Sequence, residues 1–192
     1  MKIIHCQAVL AETIPLCRVT GPEDTPLGRT GASILLMARS YESDGRGFSA
    51  GGDPVNALAS FWYASGWLHF GLSYGILTCG GNAIPCVFEG PFEQIPAGQS
   101  EKLAEKTGRY ARLLDTARSS VRCAPEEATP GHTFAGKVLC IAGVYAGYGA
   151  LCREGGMPEK ALACFSYGHG WLDAGVTAGL FSITANRDIF TV

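Results

Sequence analysis

His169 and Asp173 stand four residues apart in the segment Tyr167–Phe181, "YGHGWLDAGVTAGLF". On a helix that spacing puts an imidazole and a carboxylate side by side. Two chemistries suit such a pair: general acid–base catalysis, or half of a metal site. Ser166 and Thr177 extend the same stripe, and Trp171 lies between the pair. A plainer reading is a hydrogen-bonded pair that orients a partly buried helix. A second segment, Tyr63–Leu77, "YASGWLHFGLSYGIL", favours the plainer one, because it is a degraded copy of the first with Ser65 and His69 in the equivalent places. A metal needs three or four ligands, and no other His or Cys cluster is spaced to complete the set. The candidate binding residues are therefore His169, Asp173 and Trp171, with Trp67 and His69 from the first copy. No catalytic residue, cofactor or metal is assigned.

The elements that must position these residues are duplicated. A shift of 104 residues lays the chain over itself without a gap, and from Gly51 to Leu77 thirteen of twenty-seven positions are identical. Glu23, Thr25 and Pro26 fall on Glu127, Thr129 and Pro130 under the same shift. That is a duplicated unit, longer than the repeat of a solenoid.

Each copy reads as three helices. In the second, Ser100 is expected to cap a helix through about Val121, ended by Pro125 and Pro130. The next helix runs to about Arg153 and stops at Gly155-Gly156, and Pro158 opens the third at a first-turn position. The first copy follows suit, with a shorter first helix to about Ile14 and Asp53 capping the third. The tails "LTCGGNAIPCVFE" and "FSITANRDIFTV" each carry a turn signal between β-prone ends, so a small hairpin or an extended strap is expected. Residues 1–90 form the first repeat, and 91–192 the linker and second repeat. The fold class is all-α: two tandem up-and-down three-helix bundles related by a pseudo-twofold axis, each with a short extended tail.

The third helix is apolar on two faces. Ala161, Phe165, Gly168, Leu172, Gly175 and Gly179 make a stripe for its own bundle. Tyr167, Trp171, Ala174, Ala178 and Phe181 make a second ridge, matched by Tyr63, Trp67, Phe70, Tyr74 and Leu77. This ridge is expected to pack on its sister, with Gly71-x-x-x-Gly75 and Gly175-x-x-x-Gly179 allowing close approach. An interhelical ion pair between Lys137 and Asp173 is expected too, because the equivalents, Ser33 and His69, lose both charges together. Glu42 and Asp44 are expected to face solvent.

Composition excludes several classes. The chain has 192 residues, 17% charged and 47% hydrophobic, with a formal net charge of -2. It has no basic footprint for nucleic acid and no basic cluster for a membrane face. Ala57–Leu77 is long enough to span a bilayer, yet His69, its serines and glycines, and Asp173 in its copy favour a buried helix of a water-soluble protein. The apolar run after Met1 is too short for a signal peptide, so a cytoplasmic location is the expectation. The eight cysteines contain no Cys-x-x-Cys pair and read as unpaired small hydrophobes, most of them within helical patterns. Phosphate-binding loops, nucleophile elbows and His-Glu-x-x-His are missing.

At "ALACFSYGHGWLDAGVTAGLF" the chain resembles the archaeal family known as domain of unknown function 357. The second copy is similar at Gly170, Trp171, Leu172, Asp173, Ala174, Gly175, Gly179, Leu180 and Phe181, and in its "IFTV" ending. The first keeps Gly66-Trp67-Leu68 with His69 in place of the aspartate, and "SYESDGRGF" resembles the family's second helix, where the second copy has Tyr148 instead of Asp44. The resemblance implies small three-helix bundles, often self-associating, and carries no catalytic residues. The function expected is a non-catalytic binding or scaffolding module, a fused pseudo-dimer that docks a protein partner or a second copy. The alternatives are a ligand-binding bundle related to HEPN-like nucleotide-binding proteins, and a small-molecule or metal enzyme using His169 and Asp173. Active HEPN nucleases place an arginine four to six residues before a histidine, and none of His5, His69, His132 or His169 has one.

Overall fold

The computed structural model describes residues 3–80 and 92–191. The expected boundary between repeats, at residue 90, and the start of the linker, up to residue 91, lie outside the described residues.

The first copy comprises α1 (Ile3–Thr13), strand β1 (Cys17–Val19), α2 (Pro26–Ala50), α3 (Pro54–Tyr74) and strand β2 (Leu77–Cys79). The second comprises α4 (Ser100–Ser119), β3 (Val121–Cys123), α5 (Pro130–Glu154), α6 (Pro158–Thr177) and β4 (Phe181–Ile183). Equivalent local chemistry sets equivalent boundaries. Thr25 and Thr129 cap α2 and α5 by accepting from Gly28 N and His132 N, and a proline follows each cap. Asp53 caps α3 by accepting from Asn56 N at 3.1 Å. Gly52 and Gly156 take φ of +73° and +72° in the turns that open α3 and α6.

One local expectation is corrected, and one that allowed two forms is decided. Ser100 is the first helical residue of α4 rather than its cap, because a 3-10 turn over Ala97–Gln99 leads into the helix and makes Gln99 the boundary. Of the two forms expected for the tails, the described residues take the extended one and form no hairpin of their own. Instead β2 pairs antiparallel with β1, and β4 with β3, each tail reaching back to the connection between the first two helices of its own copy. The ladder satisfies the backbone of two short segments at once, which a tail hairpin would leave open.

Each copy's third helix packs on its own bundle and on the other copy. Added side chains at Gly45 and Gly149 would collide with Phe61 and Phe165, so α2 and α5 lie tightly on α3 and α6. Between copies, α3 and α6 meet at a single pair of glycines. A Cβ at Gly66 would stand 2.5 Å from the Tyr167 carbonyl oxygen, and one at Gly170 2.5 Å from that of Tyr63. This reciprocity is the mark of an approximate twofold axis. It also corrects the expected contact motif. Gly71 and Gly175 serve their own copies, under Leu77 and Phe181, while Gly75 and Gly179 end their helices at positive φ. Leu77 and Phe181 therefore belong to the intracopy stripe and not to the ridge.

Candidate functional site

The helix crossing carries aromatic side chains to either side. Trp67 and Trp171 are 0% and 3% exposed. Trp171 meets Phe70 edge-on at 5.8 Å between ring centres, and Trp62 meets Tyr167 at 6.2 Å. Phe134 of α5 closes one end against Phe70 and Tyr74.

Within this apolar contact the polar residues are arranged reciprocally. Three residues before Gly66, the Tyr63 hydroxyl donates to Asp173 Oδ2, three residues after Gly170. Three residues before Gly170, the Tyr167 hydroxyl lies 2.8 Å from Nδ1 of His69, three residues after Gly66. Each tyrosine thus reaches across the axis to the polar residue of the other copy. The duplication keeps both tyrosines and varies only what they meet.

Asp173 is fully buried and His169 is 5% exposed. The Thr191 hydroxyl and backbone N–H also point at Asp173 Oδ2, at 3.1 and 3.4 Å. With three donors converging on Oδ2, the other oxygen, Oδ1, faces His169 Nε2 at 3.7 Å. That is ion-pair range but too long for a hydrogen bond. Burial, followed by the negative field of Asp173, raises the Tyr63 hydroxyl pKa well above its usual value, so this phenol remains a donor. His69 is only partly exposed, and burial lowers its pKa to about 4, which keeps it neutral at pH 7.

The residues singled out from sequence therefore gather around two tyrosines, His169, Asp173 and Trp67 at Tyr63 and His69 and Trp171 at Tyr167, as ties between the copies. A general acid–base pair needs a reacting group within hydrogen-bond reach, and Asp173 offers no exposed surface to one. The expected Lys137–Asp173 ion pair is not formed. Lys137 is exposed, with its ammonium 5.3 Å from the Phe134 ring centre, and its neighbour Val138 is the residue that turns inward. Asp173 lies on the intercopy face of α6, where Tyr63 takes the partner's role. Glu42 corrects another expectation: it is 7% exposed and pairs with Arg46 at 3.0 Å, whereas Asp44 is exposed. Among the described residues no group of three or more His, Cys, Asp or Glu side chains is placed to hold a metal ion.

Sequence reasoning missed Tyr63 and Thr191 as partners of Asp173. The signal available for Tyr63 was its identity with Tyr167 in a repeat that is otherwise half changed. Thr191 also lines an open cleft of about 620 Å³ between α2 and the end of α6, with Ser33, Met37, Thr177, Ser182 and Arg187 among its other walls.

The outer face of α5 is a second feature. Cys140, Val144, Tyr148 and Leu151 follow one another at helical spacing, and Val144 and Leu151 are 60% and 65% exposed. No charged residue lies between Lys137 and Arg153. The matching positions of α2 are Leu36, Ser40, Asp44 and Gly47. Among the described residues α5 is the one helix long and apolar enough to cross a membrane, and 28% of its most apolar window is buried.

The family model described as "Protein of unknown function (DUF357)" matches the chain twice, over residues 7–77 and 109–181. No curated protein and no solved structure matches it.

Proposed function

The chain belongs to the DUF357 family as a tandem pair, and from its geometry we propose that it is a non-catalytic docking module that self-associates through the outer face of α5. The observation that carries this is the uncharged stripe Cys140, Val144, Tyr148 and Leu151. At the same positions α2 keeps Leu36 but has Ser40, Asp44 and Gly47, so the bundle does not need a continuous apolar stripe there. A contiguous exposed apolar face of this kind marks an interaction surface. Burial of Asp173 and His169 supports the non-catalytic part of the reading.

The occupant proposed is a second copy of this chain. The stripe residues carry no charge themselves, and the Lys160 ammonium, 5.2 Å from the Tyr148 ring centre, is a single positive charge and a weak basis for selecting a different partner. Gly136 and Gly147 of α5 have open space where side chains would stand, so two α5 helices can approach closely about a twofold axis. The α3–α6 crossing uses the same device at Gly66 and Gly170.

Sedimentation velocity over a wide concentration range, with a Val144→Glu/Leu151→Glu variant alongside, tests this. The wild type should sediment as a dimer, and the variant as a monomer with unchanged helical circular dichroism. A wild type monomeric at every concentration refutes self-association. Flotation of that monomer with phospholipid vesicles would assign the face to a bilayer instead.

The cleft beside Thr191 supports a second reading, binding of a small anionic ligand by Arg187 and the surrounding hydroxyls. A thermal-shift panel of carboxylates and phosphates tests it, since a true ligand raises the melting temperature by mass action.

A further inference from the structure

Cys17 and Cys79 face each other in the β1–β2 ladder, with their sulfurs 3.0 Å apart. They are 62 residues apart in sequence, so no spacing pattern announces them. The corresponding ladder of the second copy pairs Val121 with Ile183. An aliphatic pair therefore suffices for this fold, and two cysteines are not demanded by packing. Both sulfurs also lie 3.4 Å from the Thr13 carbonyl oxygen, which holds them on the same side of the ladder.

We propose that Cys17 and Cys79 form a reversible thiol–disulfide site that reacts with an anionic low-molecular-weight disulfide of the glutathione type. Cys17 is fully buried and Cys79 is partly exposed, so Cys79 is the thiol that meets the oxidant. Its thiolate attacks one sulfur of the small disulfide, forming a mixed disulfide and expelling one small thiolate. Cys17 then gives up its proton and attacks the Cys79 sulfur. The second small thiolate leaves, and the Cys17–Cys79 bond is made. Two protein thiols are oxidised and one small disulfide is reduced to two thiols.

The surroundings assign these roles. Burial and then the neighbouring Cys79 push the Cys17 pKa up to about 12, which suits a resolving thiol more than a first nucleophile. An open cleft of about 580 Å³ is lined by Cys17, with Arg18, Arg39 and one carboxylate, Glu23, in its walls, and Cys79 stands next to it across the 3.0 Å sulfur contact. The two guanidinium groups suit the carboxylates of a peptide disulfide. Cys152 and Cys164 also interact, but both are sealed in the core, 1% and 0% exposed, beyond the reach of an oxidant.

The test is a titration of the whole protein in glutathione buffers of increasing oxidised fraction, quenched by alkylation and read by intact mass and peptide mapping. The expected result is one reversible transition that removes two alkylatable thiols and the mass of two hydrogens and maps to Cys17–Cys79. The closed form should melt higher by roughly 5 °C or more, because the bond closes a long loop. A Cys17→Val/Cys79→Ile variant, carrying the second copy's ladder residues, should fold and show neither effect; Cys79→Ala should also lack the transition. The proposal is overturned if the wild type keeps both thiols in the most oxidising buffer. It is equally overturned if glutathione stays attached to Cys79 without closure, or if the double variant still shows a transition that removes two alkylatable thiols.

Discussion

Replacing Tyr63 by Phe removes one oxygen atom from the intercopy tie and leaves the ring in place. Asp173 is fully buried and accepts at Oδ2 from Tyr63 and from Thr191. A hydrogen bond to a charged group contributes about 1.5–3 kcal/mol, and a buried acceptor left short of donors bears the desolvation cost. Tyr63→Phe should therefore destabilise by about 1.5–3 kcal/mol, a loss of roughly 3–12 °C in melting temperature for a chain of this size. Asp173→Asn, made alone and with Tyr63→Phe, completes a double-mutant cycle. Urea unfolding followed by far-UV circular dichroism should give a coupling energy above about 1 kcal/mol. Lys137→Met supplies the contrast: its ammonium is exposed, so it should change stability by less than about 0.5 kcal/mol and add simply to Asp173→Asn. Additivity of Tyr63→Phe and Asp173→Asn within about 0.5 kcal/mol would refute the tie, and coupling of Asp173 to Lys137 would restore the ion pair expected from sequence.

Trp67→Ala and Trp171→Ala should each cost about 3–5 kcal/mol, read as lowered urea midpoints, because both side chains are buried on the crossing; a loss below about 1 kcal/mol at either would mean that the ridge is not packed as described. His69 gives a pH dependence. Its folded pKa of about 4 lies below the ordinary value of 6.5, so the unfolded chain binds the extra proton first. The contribution is present above about pH 6.5 and declines by up to about 1.4 kcal/mol per unit as pH falls toward 4. His69→Gln should flatten that part of the stability–pH curve, and an unchanged curve would show that His69 titrates as if exposed.

Much of the architecture was legible because it rests on local chemistry. Pro26, Pro54, Pro130 and Pro158 mark helix starts, Gly52 and Gly156 mark turns, and the repeat lets each copy check the other. The aromatic ridge was legible as a surplus of apolar faces on one helix. What was not legible depends on where the two helices cross. Gly66, Gly71 and Gly75 are all retained in the repeat, and only the geometry shows that Gly66 meets the other copy while Gly71 serves its own bundle. Without that crossing point, nothing pairs Tyr63 with Asp173 or Tyr167 with His69. The ladders were hidden for a related reason. Val19 pairs with Leu77 across the whole of α2 and α3, beyond any hairpin signal. Glu42 was misjudged because a carboxylate on a helix ordinarily faces water; here Arg46, one turn on, pairs with it.

The claim that the two copies are docked backbone to backbone is tested most directly by the sign of a glycine substitution. Alanine in a helix is favoured over glycine by about 0.8–1 kcal/mol. Gly47 of α2 has open space around it, so Gly47→Ala should raise the urea midpoint. At Gly66 and Gly170 the new methyl would stand 2.5 Å from a backbone oxygen of the other copy, which cannot turn aside as a side chain can. Overpacking of this kind costs about 1–3 kcal/mol or more, enough to exceed the helical gain. Gly66→Ala and Gly170→Ala should therefore both lower the midpoint while Gly47→Ala raises it. A rise at all three positions would contradict the crossing.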